Sequence, residues 1–432
     1  MLTAKDQPYL STEQIPLSMK LGINGLGRIG KLSLWHHVSR KVFQELVVNV
    51  GRNVGHGLED IANYLERDST YGSLGRYIYG FRGRRVIQEL NENAGTLRIN
   101  GMPVTILRDH RNPKDIQWKE NGVNIVVDCT GVFRDPTAPV DSPKGSLRGH
   151  LESGALKVIL SAPFKIEDSS KAIPRDALTT IQGINEEAYR PDQHNIISAA
   201  SCTTTCLAFM VKVLLEHFGP EPILSASMVT VHGTTGTQEI LDQLPKDGTD
   251  DLRKNRSIFN NIILTTTGAA DALSLVLPEI KDIGFAAESV RIPTSTGSIV
   301  ILTLGLEDDN PEHPIDRDQI NGIYREAAEG RFSKYITYTD SQNVSSDIIG
   351  TASAAIIEGK ETRSRTGTIH VNLARACRMV SQEDVSIPEK RGIMEIPVTQ
   401  VVVFGWYDNE LGSFANMLGE RTVEIARGLL SK

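Results

Sequence analysis

Short apolar runs alternate with one longer amphipathic segment through the first 130 residues. Met19–Asn24 (MKLGIN) predicts a buried strand, residues 32–43 (LSLWHHVSRKVF) predict a helix, and Leu46–Val50 predicts a second strand. Further strands are predicted at Pro103–Leu107 and Asn124–Cys129. Strands that alternate with helices indicate βαβ units and a parallel sheet.

Glycines fill the turn between the first predicted strand and the first helix, in the sequence Gly25-Leu26-Gly27-Arg28-Ile29-Gly30. In a G-x-G-x-x-G turn, the first glycine permits the tight bend and the second lets the backbone approach a pyrophosphate. The third allows helix and strand to pack closely. The helix N-terminus then offers free N–H groups to phosphate. The pattern therefore predicts a dinucleotide-binding unit.

The residues after the second predicted strand leave the choice of dinucleotide open. An Asp or Glu is expected there to bind the ribose 2′-hydroxyl of NAD, but the chain reads Gly51-Arg52-Asn53-Val54. An amide does not repel a 2′-phosphate and an arginine can pair with one, which makes NADP possible. Alternatively, Arg52 points to solvent and NAD is bound through Asn53.

A cysteine lies at the start of a predicted helix in the middle of the chain. A predicted strand, residues 195–199, leads through Ala200 and Ser201 to Cys202, and an amphipathic helix follows at residues 207–218. A helix N-terminus favours a thiolate, which is a good nucleophile towards an aldehyde. Cys206 is predicted to be a small buried apolar residue. A metal site at these two cysteines is not expected, because no second ligand pair has matching spacing.

The strand predicted at residues 226–231 ends in His232, which precedes a Gly/Thr-rich loop at residues 233–238. This position predicts a histidine exposed in a cleft, where it can deprotonate Cys202 and later act at a carbonyl group. The alternative is an ordinary surface histidine. That interpretation is taken for the other histidines, including His36, His37 and His56.

Length and composition set the broad class. The chain has 432 residues, which suggests two domains. A net charge of −7 does not favour nucleic acid or an anionic membrane as the main partner, and no apolar run is long enough to span a bilayer. The first 18 residues lack the apolar region of a signal peptide and are interpreted as an N-terminal extension. Four cysteines do not make a disulfide framework, so a reducing cytoplasm is expected.

Together these motifs resemble the phosphorylating glyceraldehyde-3-phosphate dehydrogenases, from about residue 20 to about residue 425. The matching stretches are INGLGRIG, RDSTYGSL, SAASCTTTC, MVTVHGTTGTQ, TTTGAADALSLVLPEI, VRIPTSTG, NVSSD and GWYDNELGS. Dehydrogenases of other sugar phosphates, such as erythrose 4-phosphate, share most of this set.

The resemblance implies an α/β fold with two parts. A Rossmann-type doubly wound dinucleotide-binding domain is expected at residues 19–200, with a C-terminal helix at 414–432 packing back on it. An α+β catalytic domain with an antiparallel sheet is expected at residues 201–413, and a homotetramer is the family's usual form. Extra length near residues 134–145, 164–180 and 360–400 has no assigned role.

The resemblance also implies roles for single residues. Cys202 matches the nucleophile and His232 its activating base. Thr235 and Arg291 match the site for the substrate's own phosphate. The site for inorganic phosphate would use Ser201, Thr203, Thr267, Gly268 and Arg256. The cofactor, NAD or NADP, would contact Gly25, Gly27, Arg28, Ile29, Asn53, Arg111, Thr130 and Asn409. Ser413 replaces an aromatic residue of the family pattern near the nicotinamide.

The implied reaction is oxidation of D-glyceraldehyde 3-phosphate to 1,3-bisphosphoglycerate through a thioester on Cys202, as part of glycolysis or gluconeogenesis. The first alternative is another sugar-phosphate aldehyde, such as erythrose 4-phosphate. The remote alternative is a binding protein that keeps the dinucleotide site without catalysis. The presence of Cys202, His232 and Arg291 together argues against this non-catalytic binding protein.

Overall fold

A computed structural model describes residues 17–245, 247–308, 310, 312–373, 375–376 and 392–430. Residues 1–16 of the predicted N-terminal extension lie outside these ranges. So do residues 377–391, including Cys377, of the extra length near residues 360–400. The strands are β1 (Leu17–Asn24), β2 (Phe43–Asn49), β3 (Arg67–Asp68), β4 (Gly72–Ser73), β5 (Ile87–Asn91), β6 (Thr96–Ile99), β7 (Met102–Leu107), β8 (Val123–Asp128), β9 (Lys157–Leu160), β10 (Ala177–Thr179), β11 (Ile196–Ser198), β12 (Ile223–His232), β13 (Ile263–Thr265), β14 (Phe285–Arg291), β15 (Ser298–Glu307), β16 (Ile336–Thr339), β17 (Ala355–Glu358), β18 (Arg363–Asn372) and β19 (Ile393–Tyr407).

The helices connect these strands and cover their faces. They are α1 (Arg28–Arg40), α2 (Leu58–Glu66), α3 (Leu74–Tyr79), α4 (Leu147–Glu152), α5 (Cys202–Phe218), α6 (Ala269–Val276), α7 (Arg317–Glu329), α8 (Ser345–Ile348) and α9 (Met417–Leu430). Within the described ranges, no helix has the length and apolar character needed to cross a membrane.

The first sheet is doubly wound, as predicted. Its strand order is β10-β11-β9-β8-β1-β2-β7-β6-β5, and every pair from β10 to β7 is parallel, whereas β6 and β5 pair antiparallel at one edge. The strand order reverses at β1, which lies between β8 and β2. A ligand crevice is expected outside the carboxyl ends of the strands at such a reversal.

Helix α1 begins and ends earlier than the apolar pattern predicts. It starts at Arg28, directly after the glycine turn, and ends at Arg40 because Lys41 adopts a left-handed conformation with φ of 54°. Phe43 already belongs to β2. The prediction that His36 and His37 are surface residues was wrong, because both are fully buried on α1. His36 occupies the space left by the absent side chain of Gly419 on α9.

The second sheet has the order β13-β14-β12-β15-β19-β17-β16, with β18 paired to β19. Most of its pairs are antiparallel, as predicted, but β12–β14 and β16–β17 are parallel. Helix α5 packs on this sheet through fully buried residues such as Phe209 and Leu214. The second sheet thereby supports α5, the helix that starts with Cys202.

The end of the chain returns to the first sheet. Leu418 and Ile425 of α9 lie in the same apolar core as β1 and β2. The insertion near residues 360–400 forms the β18–β19 hairpin, in which Arg363 pairs with Val402 and Asn372 with Ile393. It therefore extends the second sheet as an antiparallel ribbon.

Candidate active site

Cys202 and His232 meet at the junction of the two sheets. Cys202 is the first residue of α5, and the Ser201 hydroxyl caps that helix by accepting the Thr204 N–H at 3.1 Å. His232 is the last residue of β12. The Cys202 Sγ lies 3.4 Å from the His232 Nε2. Two elements that are distant in sequence thus place a thiol against an imidazole nitrogen.

The hydrogen bond made by His232 Nδ1 determines whether Nε2 is protonated. His232 Nδ1 lies 2.7 Å from the carbonyl oxygen of Gly233, and since a carbonyl only accepts, Nδ1 is the protonated nitrogen. Nε2 therefore presents a lone pair to Cys202. The prediction that His232 is exposed was wrong: only 2% of the residue is exposed, and the Tyr407 ring stands edge-on to it at 5.9 Å.

Burial keeps both groups uncharged in the absence of a ligand. Burial raises the pKa of the Cys202 thiol, against an opposing effect of the Arg291 charge. Burial, together with Arg291, lowers the pKa of His232 to about 3. The helix N-terminus was expected to favour a thiolate, but desolvation outweighs it here. The resting pair is a neutral thiol facing a neutral imidazole.

Arg291 supplies the positive charge of the site. It ends β14, and the parallel register pairs it directly with His232 on β12. Its Nη1 donates to the Gly233 carbonyl at 3.4 Å, whereas its buried Nε has no partner among the described residues. Thr235 lies on the loop that follows His232 at the end of β12, with its hydroxyl donating to Gln238 Oε1 at 2.8 Å. A half-buried guanidinium with a free, buried Nε donor among the described residues fits an oxyanion ligand.

The residues predicted for inorganic phosphate are only partly brought together. Thr267 and Gly268 precede α6, and the Thr267 hydroxyl accepts the N–H of Ala269, the first residue of that helix, at 3.2 Å. The Thr203 hydroxyl is instead engaged with the Tyr407 hydroxyl at 2.9 Å. Arg256 lies on an exposed loop and pairs with Asp242 at 3.0 Å. The structure does not join Arg256 to the nucleophile.

The glycine turn fits a dinucleotide. Gly25 has a φ of +91°, and a side chain on Gly30 would meet the Gly25 carbonyl at 1.9 Å. Gly27, by contrast, has open space within 4 Å of its missing side chain, and it directly precedes α1 without supplying a side-chain cap. Free backbone N–H groups at an open helix N-terminus are the donors that a pyrophosphate needs.

The other predicted cofactor residues have contrasting surroundings. The backbone N–H and hydroxyl of Thr130 both donate to Asp128 Oδ1, at 3.1 and 2.7 Å, which fixes the loop at the end of β8. Ile29 packs against the apolar core. Arg28 is neutralised by Asp68 and Glu410, so its side-chain charge is not free for phosphate.

The loop after β2 carries no carboxylate from residue 50 to residue 57. Asn53 is exposed and lies four residues beyond the end of β2 at Asn49. Arg52 is also exposed, and Arg111 donates through Nε to the Gly51 carbonyl at 3.3 Å. The loop thus contains neither a carboxylate that would repel a 2′-phosphate nor one that would bind a 2′-hydroxyl.

Asn409 is buried and fixed in orientation. Its Oδ1 accepts the hydroxyls of Thr296 at 2.9 Å and Ser298 at 2.7 Å. The preceding Asp408 is fully buried and accepts the Tyr71 hydroxyl at 2.8 Å. These bonds set the amide plane, so that the amide nitrogen of Asn409 is the group left to donate.

Sequence reasoning missed several of these supporting residues. Tyr407 and Asp408 lie inside the matched stretch GWYDNELGS, and Thr296 lies inside VRIPTSTG. The motifs therefore included these residues but did not indicate what they do. A buried network behind the crevice gave no signal at all. It joins Trp118, His150, Asp128, Asn24 and Asn49 through hydrogen bonds of 2.7 to 3.1 Å.

Comparison with known proteins matches both halves of the chain to one family. Residues 19–136 match the glyceraldehyde 3-phosphate dehydrogenase NAD binding domain, and residues 201–375 match the C-terminal domain of the same family. Glyceraldehyde-3-phosphate dehydrogenase 2 of Streptomyces avermitilis is 35% identical over 416 residues, which cover 96% of this chain and 100% of that protein. The enzyme of Geobacillus stearothermophilus is 34% identical over 421 residues, covering 96% and 99%. Glyceraldehyde-3-phosphate dehydrogenase 2 of Bacillus subtilis is 33% identical over 397 residues, covering 92% and 94%.

The two family matches fall on the two sheets, with the second beginning one residue before Cys202. The relatives match at above 30% identity over nearly their whole length. The chain belongs to the glyceraldehyde-3-phosphate dehydrogenase family.

Proposed function

We propose that this protein oxidises D-glyceraldehyde 3-phosphate to 1,3-bisphosphoglycerate with NAD or NADP and inorganic phosphate. The observation that carries the proposal is the Cys202 Sγ at 3.4 Å from the unprotonated Nε2 of His232, with the half-buried Arg291 paired to His232 on the neighbouring strand. A thiol nucleophile, a base and an anion-binding cation are the groups that covalent oxidation of a phosphorylated aldehyde requires.

In the first half of the reaction, the Cys202 thiol gives its proton to His232 Nε2 as sulfur bonds to the aldehyde carbon. His232 then passes that proton to the former carbonyl oxygen, which leaves a hemithioacetal and a neutral imidazole. His232 then removes the hydroxyl proton while the carbon is oxidised to a thioester on Cys202 Sγ. A bound nicotinamide dinucleotide supplies the hydride acceptor for this oxidation.

In the second half, inorganic phosphate attacks the thioester carbon and the carbon–sulfur bond breaks. The proton on His232 returns to the Cys202 sulfur, so both groups regain their resting state, and the phosphate proton is released. In this proposal Arg291 binds the substrate's phosphate, together with Thr235. We assign the attacking phosphate to the start of α6, at Thr267 and Gly268, because a helix N-terminus can offer N–H groups to an anion.

Cofactor binding is assigned to the glycine turn at Gly25 and Gly27, to Thr130, and to the amide of Asn409. We further propose that both NAD and NADP are accepted, because the loop after β2 lacks a carboxylate and carries Arg52. A cytoplasmic location, a role in glycolysis or gluconeogenesis and a homotetrameric assembly complete the proposal. The domain limits expected from the sequence, 19–200 and 201–413, are retained as part of it.

The test is cofactor reduction by purified protein with glyceraldehyde 3-phosphate or erythrose 4-phosphate. Each aldehyde is run with NAD and with NADP, and with and without inorganic phosphate. Phosphate-dependent turnover that is faster with glyceraldehyde 3-phosphate supports the proposal. Faster turnover with erythrose 4-phosphate supports the first alternative. Cofactor binding without turnover of either aldehyde, in folded protein, supports the dinucleotide-binding protein.

A further inference from the structure

The segment between Asn409 and α9 is a π-helix, Leu411–Asn416. The Ser413 N–H donates to the Asp408 carbonyl at 3.1 Å and the Ala415 N–H to the Glu410 carbonyl at 3.0 Å. Each bond spans five residues instead of the four of an α-helix. The wider turn holds more residues than an α-helical turn, so it changes which side chains face α5. Single π-turns of this kind occur frequently at functional sites.

Ser413 is the residue that this turn directs towards the nucleophile. Its hydroxyl donates to the backbone carbonyl of Cys202 at 3.1 Å, and the residue is fully buried. An α-helical carbonyl normally accepts one N–H from four residues further on. The Ser413 hydroxyl is therefore an additional donor, from a segment 211 residues away.

The end of β19, just before this segment, holds the first turn of α5 at a second point. Tyr407 binds the Thr203 hydroxyl at 2.9 Å, one residue beyond Cys202. Asn409, the residue assigned to the nicotinamide, lies between Tyr407 and Ser413 in the chain and is itself fixed by Thr296 and Ser298. The residues on either side of Asn409, Tyr407 and Ser413, are thus both hydrogen-bonded to the first turn of α5.

We propose that Ser413 is a positioning residue for oxidation, and that its hydroxyl sets the placement of Cys202 relative to Asn409. The proposal rests on the proposed function, because it assigns Cys202 and Asn409 to the two reacting partners. A hydride crosses a short distance, so alignment between the covalent intermediate and the cofactor affects the rate of that step. Alkylation of the Cys202 thiol by a small reagent needs no such alignment.

The test compares Ser413→Ala with a matched control, Thr422→Val. Thr422 lies on α9, is fully buried and donates its hydroxyl to the Leu418 carbonyl at 2.7 Å, so the control removes the same kind of bond away from α5. For Ser413→Ala we expect kcat to fall about 3- to 10-fold, as for loss of one neutral hydrogen bond. The KM for the aldehyde and the rate of Cys202 alkylation by iodoacetamide should stay within about twofold. Thr422→Val should keep the parent kcat.

A kcat of Ser413→Ala within about twofold of the parent overturns the proposal. So does an alkylation rate that falls as much as kcat, since Ser413 would then act on the thiol itself. An equal loss of kcat in Thr422→Val also overturns it, because the effect would belong to the packing of α9. The proposed function fails separately, if Cys202→Ser retains phosphate-dependent turnover.

Discussion

His232 presents its unprotonated Nε2 to the Cys202 Sγ at 3.4 Å, because its Nδ1 donates to the carbonyl of the next residue, Gly233, at 2.7 Å. The imidazole is held as a base by a backbone group that cannot itself change protonation. This differs from catalytic sites in which a carboxylate orients the histidine. The orientation of His232 therefore depends on the path of the chain after β12.

His232→Asn should lower kcat about 10²- to 10⁴-fold, because general-base assistance to the thiol is lost. The KM for glyceraldehyde 3-phosphate should change much less, since Arg291, the proposed ligand of the substrate's phosphate, remains. Steady-state kinetics of purified protein measure both. His313→Asn is the control, because His313 is exposed on a distant loop. Comparable kcat values for the two variants would remove His232 from the mechanism.

Alkylation of Cys202 in the cofactor-free protein should depend steeply on pH. Burial raises the pKa of its thiol, so the thiolate fraction at pH 7 is small and the alkylation rate should still be rising above pH 9. His232, with its pKa near 3, should add no inflection between pH 5 and 8. Arg291→Gln should slow alkylation at each pH, because the Arg291 charge opposes the rise of the thiol pKa. A rate that levels off below pH 7 would contradict this electrostatic account.

Two glycines of the first turn should separate folding from cofactor binding. Gly30→Ala should lower the free energy of unfolding by about 1–3 kcal/mol, because the added carbon would lie 1.9 Å from the Gly25 carbonyl. Gly27→Ala meets no neighbour within 4 Å, so its stability should be near that of the parent. Its cofactor Kd should rise about tenfold, because the methyl group occupies the path of the pyrophosphate. Urea unfolding and fluorescence titration test the pair, and tight binding by Gly27→Ala would count against the assigned phosphate site.

Buried histidines of α1 should make the fold sensitive to mild acid. Burial lowers the pKa of His37 to about 3 and that of His36 well below its ordinary value. The unfolded chain binds these protons near pH 6.5 and the folded chain does not. Stability is therefore complete above that pH and is lost as pH falls towards 3, by at most about 1.4 kcal/mol per pH unit for each histidine.

His37→Phe should remove one of these contributions while filling the same space beside Phe43. Urea unfolding between pH 6.5 and 5 should then show a shallower loss of stability than in the parent protein. His56→Phe, at an exposed position, is the control. An unchanged pH slope in His37→Phe would mean that His37 takes up a proton in the folded state.

The chemistry-bearing residues were predictable where a local pattern coincided with a motif. The glycine turn between β1 and α1, and Cys202 at the start of α5, follow from sequence spacing alone. The burial of His232 did not, because it depends on Tyr407 from a strand far along the chain. The burial of His36 was not predictable for a similar reason: the space it fills is created by Gly419, and no local pattern indicates a missing side chain on another helix.

The π-helix illustrates the same limit. The sequence shows Ser413 only as a departure from the family pattern, since its hydroxyl reaches the Cys202 carbonyl through the geometry of a turn that residue type alone does not predict. Arg256 shows the opposite case, because its motif position suggested phosphate while the structure pairs it with Asp242. Motifs indicate which residues are candidates, and tertiary packing decides which of them meet.

The central claim, that Cys202 carries a thioester which phosphate resolves, is tested most directly by a single-turnover experiment without phosphate. Protein, oxidised cofactor and glyceraldehyde 3-phosphate are mixed, and both cofactor reduction and the mass of the peptide that contains Cys202 are followed. The account predicts a burst of about one reduced cofactor per active site, an acyl group on Cys202, and continued turnover once phosphate is added. Continuous turnover without phosphate, or a burst with no modification of Cys202, would contradict it.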